Sequence, residues 1–317
     1  MADLYRGQGY ADRVLVYENK TTHKGFWGRE RLIGALRREK FDVAVLFQNA
    51  FDAAWIAWRA HIPRRIGYAR YGRSLLLTQA IPVPRKGETP PHEAYDYLEL
   101  LRRAGWIERL PQTYEIGVTV SEQARQKALE RLAAAGVRQN AVRIAFASGA
   151  AYGSAKCWEP EKYAALADQL ISAFDAEVIF FGAAEEADLA ERTIGAMRGR
   201  ACNLVGVTSL GELPALLSNC HLFIGNDSGA MHLAGAVGLP IIGIFGPTDP
   251  EGTRPVTAHF TLIREPVVCS PCFLRRCPID HRCMTRISVE RVFDAARSSL
   301  LSAGGVRTDL IRSQRLA

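Results

Sequence analysis

Small polar residues follow an apolar run in the second half of the chain. Leu222–Gly225 predicts a buried strand, and Asn226–Gly229 after it is typical of a turn leading into a helix. A helix beginning near Ser228 directs its free backbone N–H groups at the end of the strand, where they suit a diphosphate. Gly229 allows close approach to the backbone, and His232 lies one turn further along the same face. This pattern predicts an anion site.

A second turn of the same kind follows the next apolar run. Ile241–Phe245 predicts another buried strand, and Gly246–Asp249 after it forms a tight turn. In a parallel sheet both turns lie at the same edge, where ligands bind. A capped helix with a core histidine is the alternative, but it explains only one of the turns. The pair favours a binding site.

Two further charged positions follow predicted strands. Lys156 ends a loop of small residues just before a helix, a placement suited to neutralising a phosphate. Trp158 nearby is expected to pack under that loop. Glu186 lies beyond another strand, where a carboxylate can bind ribose hydroxyls. The alternatives are an ordinary solvent-facing lysine and an ordinary acid at the start of a helix.

Length and composition indicate a soluble globular protein of about two domains. The 317 residues are 48% hydrophobic and 23% charged, and no apolar run approaches the roughly 20 residues that span a bilayer. Without a signal-peptide pattern at the amino terminus, the expected compartment is cytoplasmic. The net charge of +7 favours anionic partners, with an ordinary solvated basic face as the alternative.

Short β-rich runs alternate with amphipathic stretches along the chain, which predicts two lobes with parallel sheets. The predicted strands are 13–17, 41–47, 114–120, 143–147, 177–181, 222–225 and 241–245. The predicted helices are 27–39, 50–60, 92–104, 122–135, 160–174, 185–197, 210–218, 228–237 and a last one from about 288. Residues 1–120 form one predicted lobe and residues 121–317 the other, with the final helix a candidate to pack back on the first lobe.

The first lobe is expected to be incomplete. A doubly wound domain ordinarily opens with a buried strand and a glycine-containing turn, and nothing before Arg13 supplies one. We therefore expect this lobe to lack its first strand and helix, through a truncation or a misplaced start codon.

These segments resemble glycosyltransferase family 9, the lipopolysaccharide heptosyltransferases, and within it most closely heptosyltransferase II. The resemblance is carried by Gly149–Trp158, Asn226–His232 and Phe245–Pro250. It implies a GT-B fold of two Rossmann-like lobes and inverting transfer of heptose from ADP-heptose to the lipopolysaccharide inner core. Its implied site residues are Lys156 at the leaving diphosphate, Glu186 at the ribose, and Asp227, Ser228, Gly229 and His232 around the phosphates and sugar.

The catalytic base of the resembling family is an aspartate in the turn after the first strand. Neither Asp3 nor Asp12 lies in such a turn, so the role is given to neither. General base catalysis contributes about 10²–10⁴-fold, so we expect severely reduced transfer from this chain. A nucleotide-binding but impaired homologue and a relative using another sugar stay open. A nicotinamide oxidoreductase is disfavoured because no Gly-x-Gly-x-x-Gly follows an early strand.

The acceptor that the resemblance implies is an anionic glycolipid at the inner membrane surface. The basic stretch with Arg64, Arg70 and Arg73 lies in the first lobe, and arginine forks suit phosphates and carboxylates. Ordinary surface arginines are the alternative. No nucleic acid and no obligate protein partner is expected, and transfer is expected to need no metal cofactor because Lys156 and the helix amino terminus supply the positive charge.

Four cysteines cluster near the carboxyl end. Cys269, Cys272, Cys277 and Cys283, with His281 nearby, could hold a structural zinc ion. The spacing lacks the second close pair usual in zinc ribbons, so a disulfide or a loop of free thiols stays open.

Overall fold

The computed structural model describes residues 2–5, 7–112 and 114–302, and they form two compact units. The larger unit comprises the described residues among 3–10 and everything described from Tyr114 onward. The smaller unit comprises the residues between them. The predicted boundary near residue 120 therefore falls a few residues inside the larger unit.

Helices and strands alternate through both units. The helices are α1 (Ala2–Tyr5), α2 (Gly25–Glu39), α3 (Phe51–Arg59), α4 (Ala94–Arg103), α5 (Glu122–Ala134), α6 (Pro160–Phe174), α7 (Ala187–Gly195), α8 (Leu213–Leu217), α9 (Gly229–Ala236), α10 (Pro250–Thr253), α11 (Arg282–Thr285) and α12 (Val289–Ser302). The strands are β1 (Val43–Leu46), β2 (Arg64–Tyr68), β3 (Gln79–Ile81), β4 (Arg143–Ala147), β5 (Glu177–Phe180), β6 (Ala201–Asn203), β7 (Leu222–Asn226), β8 (Ile241–Phe245) and β9 (Phe260–Arg264). Single 3₁₀ turns occupy Arg73–Leu76, Ser154–Lys156 and Ala184–Glu186.

The larger unit has a parallel six-stranded sheet in the order β6-β5-β4-β7-β8-β9. Counted within the unit, that order is 3-2-1-4-5-6, the doubly wound arrangement. Every residue of β7 and β8 is buried, because helices cover both faces of the sheet. The strand order reverses between β4 and β7, so the loops after these two strands diverge and leave a crevice at the carboxyl edge.

Two apolar layers sandwich this sheet. One layer contains Tyr163 and Leu170 of α6 with Trp158, which lies just before that helix. The other layer contains Phe223, Met231 and Leu233. The last helix, α12, packs against α6, β7 and β8 of the same unit. Packing of α12 on the first lobe, which the sequence also suggested, stays a prediction.

The smaller unit has a parallel three-stranded sheet in the order β1-β2-β3. Its cores are small, with Ile33 and Ile56 in one cluster and Ile66 and Leu100 in another. All four residues of β1 are only half-buried. No helix in the described part of the chain is long and apolar enough to cross a membrane.

The prediction of an α/β fold with parallel sheets is confirmed, whereas two predicted strands are wrong. Residues 13–17 and 114–120 have no regular secondary structure and join no ladder among the described residues. Val118 donates a single backbone hydrogen bond to Ala236, and Val14 and Val16 remain exposed. Alternating apolar residues specify an extended chain, but a strand also needs a neighbour to pair with.

Candidate functional site

Four neighbouring strands of the larger sheet send polar loops to one edge. In spatial order these strands are β5, β4, β7 and β8, and their loops carry Glu186, Lys156, Asp227 and Thr248 respectively. The four side chains belong to one site because the carboxyl ends of parallel strands share an edge. The sequence-predicted donor residues of this unit all lie at that edge.

Asn226, the last residue of β7, ties the loops together. It is fully buried, and its side-chain amide donates to the backbone oxygen of Ser148 at 2.7 Å. Its side-chain oxygen accepts from the Trp158 backbone at 3.2 Å and from the Tyr163 hydroxyl at 3.0 Å. Both ends of the Lys156 loop are therefore anchored on one buried amide. Trp158 itself is buried beneath the loop, as predicted.

Lys156 and Asp227 form an ion pair within the site. The ammonium nitrogen lies 2.5 Å from Asp227 Oδ2, and the side chains are 13% and 6% exposed. Thr248 also donates its hydroxyl to Asp227 Oδ2, at 2.8 Å. The Lys156 ammonium lies over the Tyr152 ring at 4.9 Å. Asp227 is thus held from two sides and in turn fixes the position of the lysine charge.

The amino terminus of α9 lies beside this pair without a side-chain cap. Ser228 occupies the cap position but makes no capping hydrogen bond, and its buried Oγ has no partner among the described residues. Buried hydroxyls are nearly always hydrogen-bonded, so an unpartnered one next to free helix N–H groups marks a place for a ligand acceptor. Beside Gly229 the space is open, since no atom lies within 4 Å of where a Cβ would stand.

His232 is exposed on α9, one turn beyond Gly229. Gly229 and His232 both border a cavity of about 550 Å³, whose other walls are largely apolar. Its apolar residues include Leu4, Tyr10, Ile116, Val118, Leu233 and Ala236. The site therefore changes from charged at Lys156 to apolar beyond His232.

Glu186 ends a 3₁₀ turn after β5 and folds back over the strand ends. Its carboxylate accepts from the Ala183 backbone N–H at 2.8 Å. A Cβ at Gly149 would lie 2.4 Å from this carboxylate and one at Gly182 would lie 2.6 Å from it, so a side chain at either position would displace the carboxylate. Burial raises the pKa of Glu186. Its contact with Gly149 brings the carboxylate against the loop that carries Lys156.

The spacing of these groups suits a nucleoside diphosphate. Adjacent strands lie about 4.8 Å apart, so the β5 and β7 loops are separated by about 10 Å. A carboxylate at one end can accept ribose hydroxyls, while a lysine, an unpartnered hydroxyl and a helix amino terminus at the other end can bind phosphate oxygens.

The three arginines predicted for the acceptor do not form one patch. Arg64 begins β2 and Arg70 lies just beyond its end, roughly 20 Å apart at the rise of a strand. Arg73 is fully buried and donates to the backbone oxygens of Tyr68 and Gln48 and to the side-chain oxygen of Asn49, at 2.9, 2.5 and 2.8 Å. Its burial lowers its pKa.

Arg73 therefore organises the ends of β1 and β2, and the geometry gives no support to an acceptor role for it. Arg64 lies at the amino end of β2, away from the edge where ligands of parallel sheets bind. Arg70 is exposed beyond the carboxyl end, with its guanidinium 5.3 Å from the Tyr71 ring. Its acceptor role stays a prediction.

All seven cysteines are free. Cys269 and Cys272 are exposed, Cys277 is half-buried, and Cys283 is buried. Burial raises the pKa of Cys283 to about 11, and the other three thiols add to this effect. Within the described residues, no three or more His, Cys, Asp or Glu side chains are grouped to hold a metal ion. The structural zinc stays a prediction.

Sequence reasoning missed the residues that hold the site together. Asn226 and Thr248 lie in segments that were singled out, but they carried no individual role. A polar residue at the end of an all-apolar strand was the available signal for Asn226, since such a residue must find partners when buried. Tyr152 gave no signal of its contact with Lys156.

The amino-acid sequence of the chain is similar to those of known glycosyltransferases. Residues 29–282 match the family described as glycosyltransferase family 9 (heptosyltransferase). Lipooligosaccharide heptosyltransferase 2 of Haemophilus influenzae is 31% identical over 245 residues, which are 75% of this chain and 69% of that protein. Lipopolysaccharide heptosyltransferase 2 of Escherichia coli K12 is 30% identical over 246 residues, with 75% and 69% covered.

A solved structure agrees with these relatives. The structure of E. coli ADP-heptose lipopolysaccharide heptosyltransferase II is similar over 87% of this chain and 81% of that one, with 28% identity and a TM-score of 0.74. The resemblance seen in the sequence, including its preference for heptosyltransferase II, is confirmed.

Proposed function

The chain belongs to glycosyltransferase family 9, the heptosyltransferases, and from that premise we propose that it transfers heptose from ADP-heptose to the inner core of lipopolysaccharide. The observation that carries the proposal is the uncapped amino terminus of α9 beside the Lys156–Asp227 pair. An unpartnered Ser228 hydroxyl, free helix N–H groups and a fixed lysine converge there. This combination suits a diphosphate bound end-on to a helix.

The donor lies along the edge of the larger sheet in this proposal. The Glu186 carboxylate accepts hydrogen bonds from the ribose hydroxyls, and the diphosphate lies between Lys156 and the first turn of α9. The open space beside Gly229 admits the second phosphate close to the backbone. The sugar then lies toward His232, at the border of the cavity.

Displacement of the diphosphate is the step that these groups assist. An acceptor hydroxyl attacks the anomeric carbon from the face opposite the leaving group, and the carbon–oxygen bond to the diphosphate breaks with its electron pair going to ADP. The proton of the attacking hydroxyl passes to solvent water, since no residue is assigned as base, and the configuration inverts. Negative charge grows on the departing phosphate oxygens. Fixed positive groups aimed at developing charge stabilise a transition state without reorganising. Asp227 and Thr248 position the lysine for that role.

We propose an anionic lipopolysaccharide precursor as acceptor, met at the cytoplasmic face of the inner membrane. Arg70 is the exposed candidate to contact its phosphates or carboxylates, because arginine forms bidentate pairs with both. The net charge of +7 favours approach to an anionic surface. Neither nucleic acid nor an obligate protein partner enters the proposal.

A heptose-transfer assay tests the proposal. The purified chain is given ADP-heptose and heptose-deficient lipopolysaccharide, and the product is followed by the mass of one added heptose. We expect slow transfer from ADP-heptose, since no residue is assigned as general base. Lys156→Met should reduce it further, and Lys127→Met, which changes an exposed lysine on α5, should leave it unchanged. Transfer insensitive to Lys156→Met would contradict the assigned site.

Another sugar on the same nucleotide is the second candidate, because the groups identified here contact the nucleotide end of the donor. ADP-glucose in the same assay separates the two. Equal binding of both donors with transfer from ADP-glucose alone would overturn heptose as the transferred sugar while leaving the nucleotide site intact.

A further inference from the structure

The segment 269–283, here called the thiol segment, lies directly against the donor site. It follows β9 and leads into α11. The backbone N–H groups of Cys272 and Phe273 both donate to the Pro247 oxygen, at 3.0 and 2.9 Å. Ser270 Oγ donates to the Gly246 oxygen at 2.6 Å. The turn that presents Thr248 is therefore held in place by the thiol segment.

The same segment also holds the loop that carries Lys156. The Tyr152 hydroxyl donates to the Phe273 oxygen at 2.7 Å, and the Ala155 N–H donates to the Arg275 oxygen at 3.1 Å. The Arg275 guanidinium lies 5.2 Å from the Tyr152 ring, the ring that the Lys156 ammonium also contacts. His281 Nε2 lies 2.7 Å from the Ala155 oxygen. One segment thus braces the loop that carries Lys156 and the turn that carries Thr248, the residue that donates to Asp227.

Two of its thiols are accessible. Cys269 and Cys272 are exposed and separated by two residues, whereas Cys283 is buried with its Sγ close to Gly246. The short separation keeps the two Cα atoms within about 11 Å even in an extended chain, and a disulfide needs about 4.4–6.8 Å. A local rearrangement of the exposed segment can join them. Cys272 is also the residue whose backbone N–H binds Pro247.

We propose that Cys269 and Cys272 are a thiol modification site, whose oxidation to an intramolecular disulfide weakens binding of the nucleotide diphosphate. The oxidant is a low-molecular-weight disulfide such as oxidised glutathione. One cysteine thiolate attacks it and releases one thiol; the second thiolate displaces the other half and forms the Sγ–Sγ bond. The two protons given up by the cysteines go to the two thiols released.

Closing this bond changes the support of the donor site. The two sulfurs must approach to about 2.05 Å, which draws in the Cys272 backbone. The bonds from Cys272 and Phe273 to Pro247 are then weakened, and so is the bond from Tyr152 to the Phe273 oxygen. Lys156 and Thr248 lose their fixed positions as a result. This coupling rests on the proposed donor function, whereas the modification itself does not.

Peptide mapping and ADP titration of the full chain test the two parts separately. Trypsin releases residues 265–275 as one peptide that holds Cys269 and Cys272 and no other cysteine, while Cys277 and Cys283 fall in separate peptides. After treatment with oxidised glutathione we expect this peptide to be lighter by two hydrogens. ADP affinity measured by calorimetry should fall about tenfold, a typical coupling between two sites, and recover with dithiothreitol.

Matched variants fix the assignment. Cys269→Ser should bind ADP like the reduced protein and cannot form the internal disulfide. Its reaction with oxidised glutathione stops at a mixed disulfide on Cys272, which the mass of peptide 265–275 distinguishes from an internal disulfide. Cys202→Ser, which changes a cysteine in β6, should respond as the unaltered chain does.

The modification site would be overturned by the absence of an internal disulfide in peptide 265–275, or by a zinc ion bound to these thiols in the purified protein. The coupling would be overturned by an unchanged ADP affinity once that disulfide has formed. Failure of the reduced chain to bind ADP would sink the proposed function and the coupling with it, and the peptide masses would still decide the modification site.

Discussion

The two units use buried polar groups in opposite ways. At the sheet edge of the larger unit, Lys156 and Asp227 satisfy each other and stand beside an unpartnered hydroxyl on Ser228. In the smaller unit, Arg73 donates to three oxygens that the ends of β1 and β2 would otherwise leave exposed or unpaired. The larger unit therefore leaves a buried hydroxyl without a hydrogen-bond partner in the described part of the chain, whereas the buried arginine of the smaller unit uses its donors within the fold.

The difference shows why the charge of a residue does not reveal its role. Arg73 and Lys156 are both basic and largely withdrawn from solvent, yet only Lys156 lies beside an unpartnered polar group. A ligand site is recognised by what is left unsatisfied, since nearly all buried polar groups of a folded protein are paired. The comparison predicts that changes to Arg73 affect stability and changes to Lys156 affect binding.

Arg73→Met should produce the largest effect. It removes a fully buried guanidinium that donates to three oxygens, so we expect the smaller unit to lose about 4 kcal/mol of unfolding free energy. Urea unfolding followed by tryptophan fluorescence measures this, since Trp27, Trp55, Trp58 and Trp106 belong to the smaller unit. Arg70→Met is the matched control with little expected loss. A loss of ADP affinity in Arg73→Met without a loss of stability would break the comparison.

Lys156→Met should lower ADP affinity about 100-fold, because charge-assisted hydrogen bonds contribute about 1.5–3 kcal/mol each. It also leaves the Asp227 carboxylate to repel the diphosphate. Calorimetric titration with ADP gives the affinity, with Lys127→Met as control. If repulsion contributes, the double variant Lys156→Met/Asp227→Asn binds more tightly than Lys156→Met alone; an equal or weaker affinity would remove that part of the account.

Glu186→Gln should lower ADP affinity about tenfold, because a charged acceptor for the ribose hydroxyls is lost. Inorganic pyrophosphate has no ribose, so its affinity should not change. Competition binding with both ligands separates the nucleoside end of the site from the phosphate end. Equal loss for both ligands would show that Glu186 acts by supporting the loop at Gly149 instead.

The same variant tests a pH dependence. Burial raises the pKa of Glu186 above its ordinary value, so its carboxylate is charged above that pKa and neutral below it. The advantage of the unaltered chain over Glu186→Gln should therefore be full near neutral pH and shrink as pH falls through the raised pKa. ADP titrations of both proteins at matched pH values measure the ratio, which cancels protonation of ADP itself. A constant ratio would contradict the assigned acceptor role.

Ser228→Ala should have the smallest effect on affinity, about threefold, since one neutral hydrogen bond is lost. Stability should not fall, because the hydroxyl has no partner to lose among the described residues. ADP titration and urea unfolding of the same preparation check both halves. A marked loss of stability would show that the hydroxyl already has a structural role.

Much of the larger unit could be predicted from the sequence. The bounds of β4, β8 and α6 agree with those expected, because apolar runs buried on both faces and a proline at the helix start specify them locally. Strands β2, β3, β6 and β9 were missed. They are short or carry polar residues, and their pairing comes from neighbours distant in sequence.

The site residues also divide into those that the sequence could predict and those that it could not. Lys156 and Glu186 could be assigned because each lies in the loop that follows a predicted strand, and strand ends fix a place in the sheet. The burial of Arg73 could not, since arginine is seldom buried and its partners Gln48 and Asn49 lie 24 or more residues away. Whether a basic residue serves the fold or a ligand depends on contacts that no local pattern contains.

The central claim is that Lys156 and the amino terminus of α9 bind the donor diphosphate. The most direct test compares ADP with AMP, which lacks the second phosphate, in the unaltered chain and in Lys156→Met. We expect the unaltered chain to prefer ADP strongly and Lys156→Met to lose most of that preference while AMP binds nearly as before. The same preference for ADP in both proteins would contradict the claim.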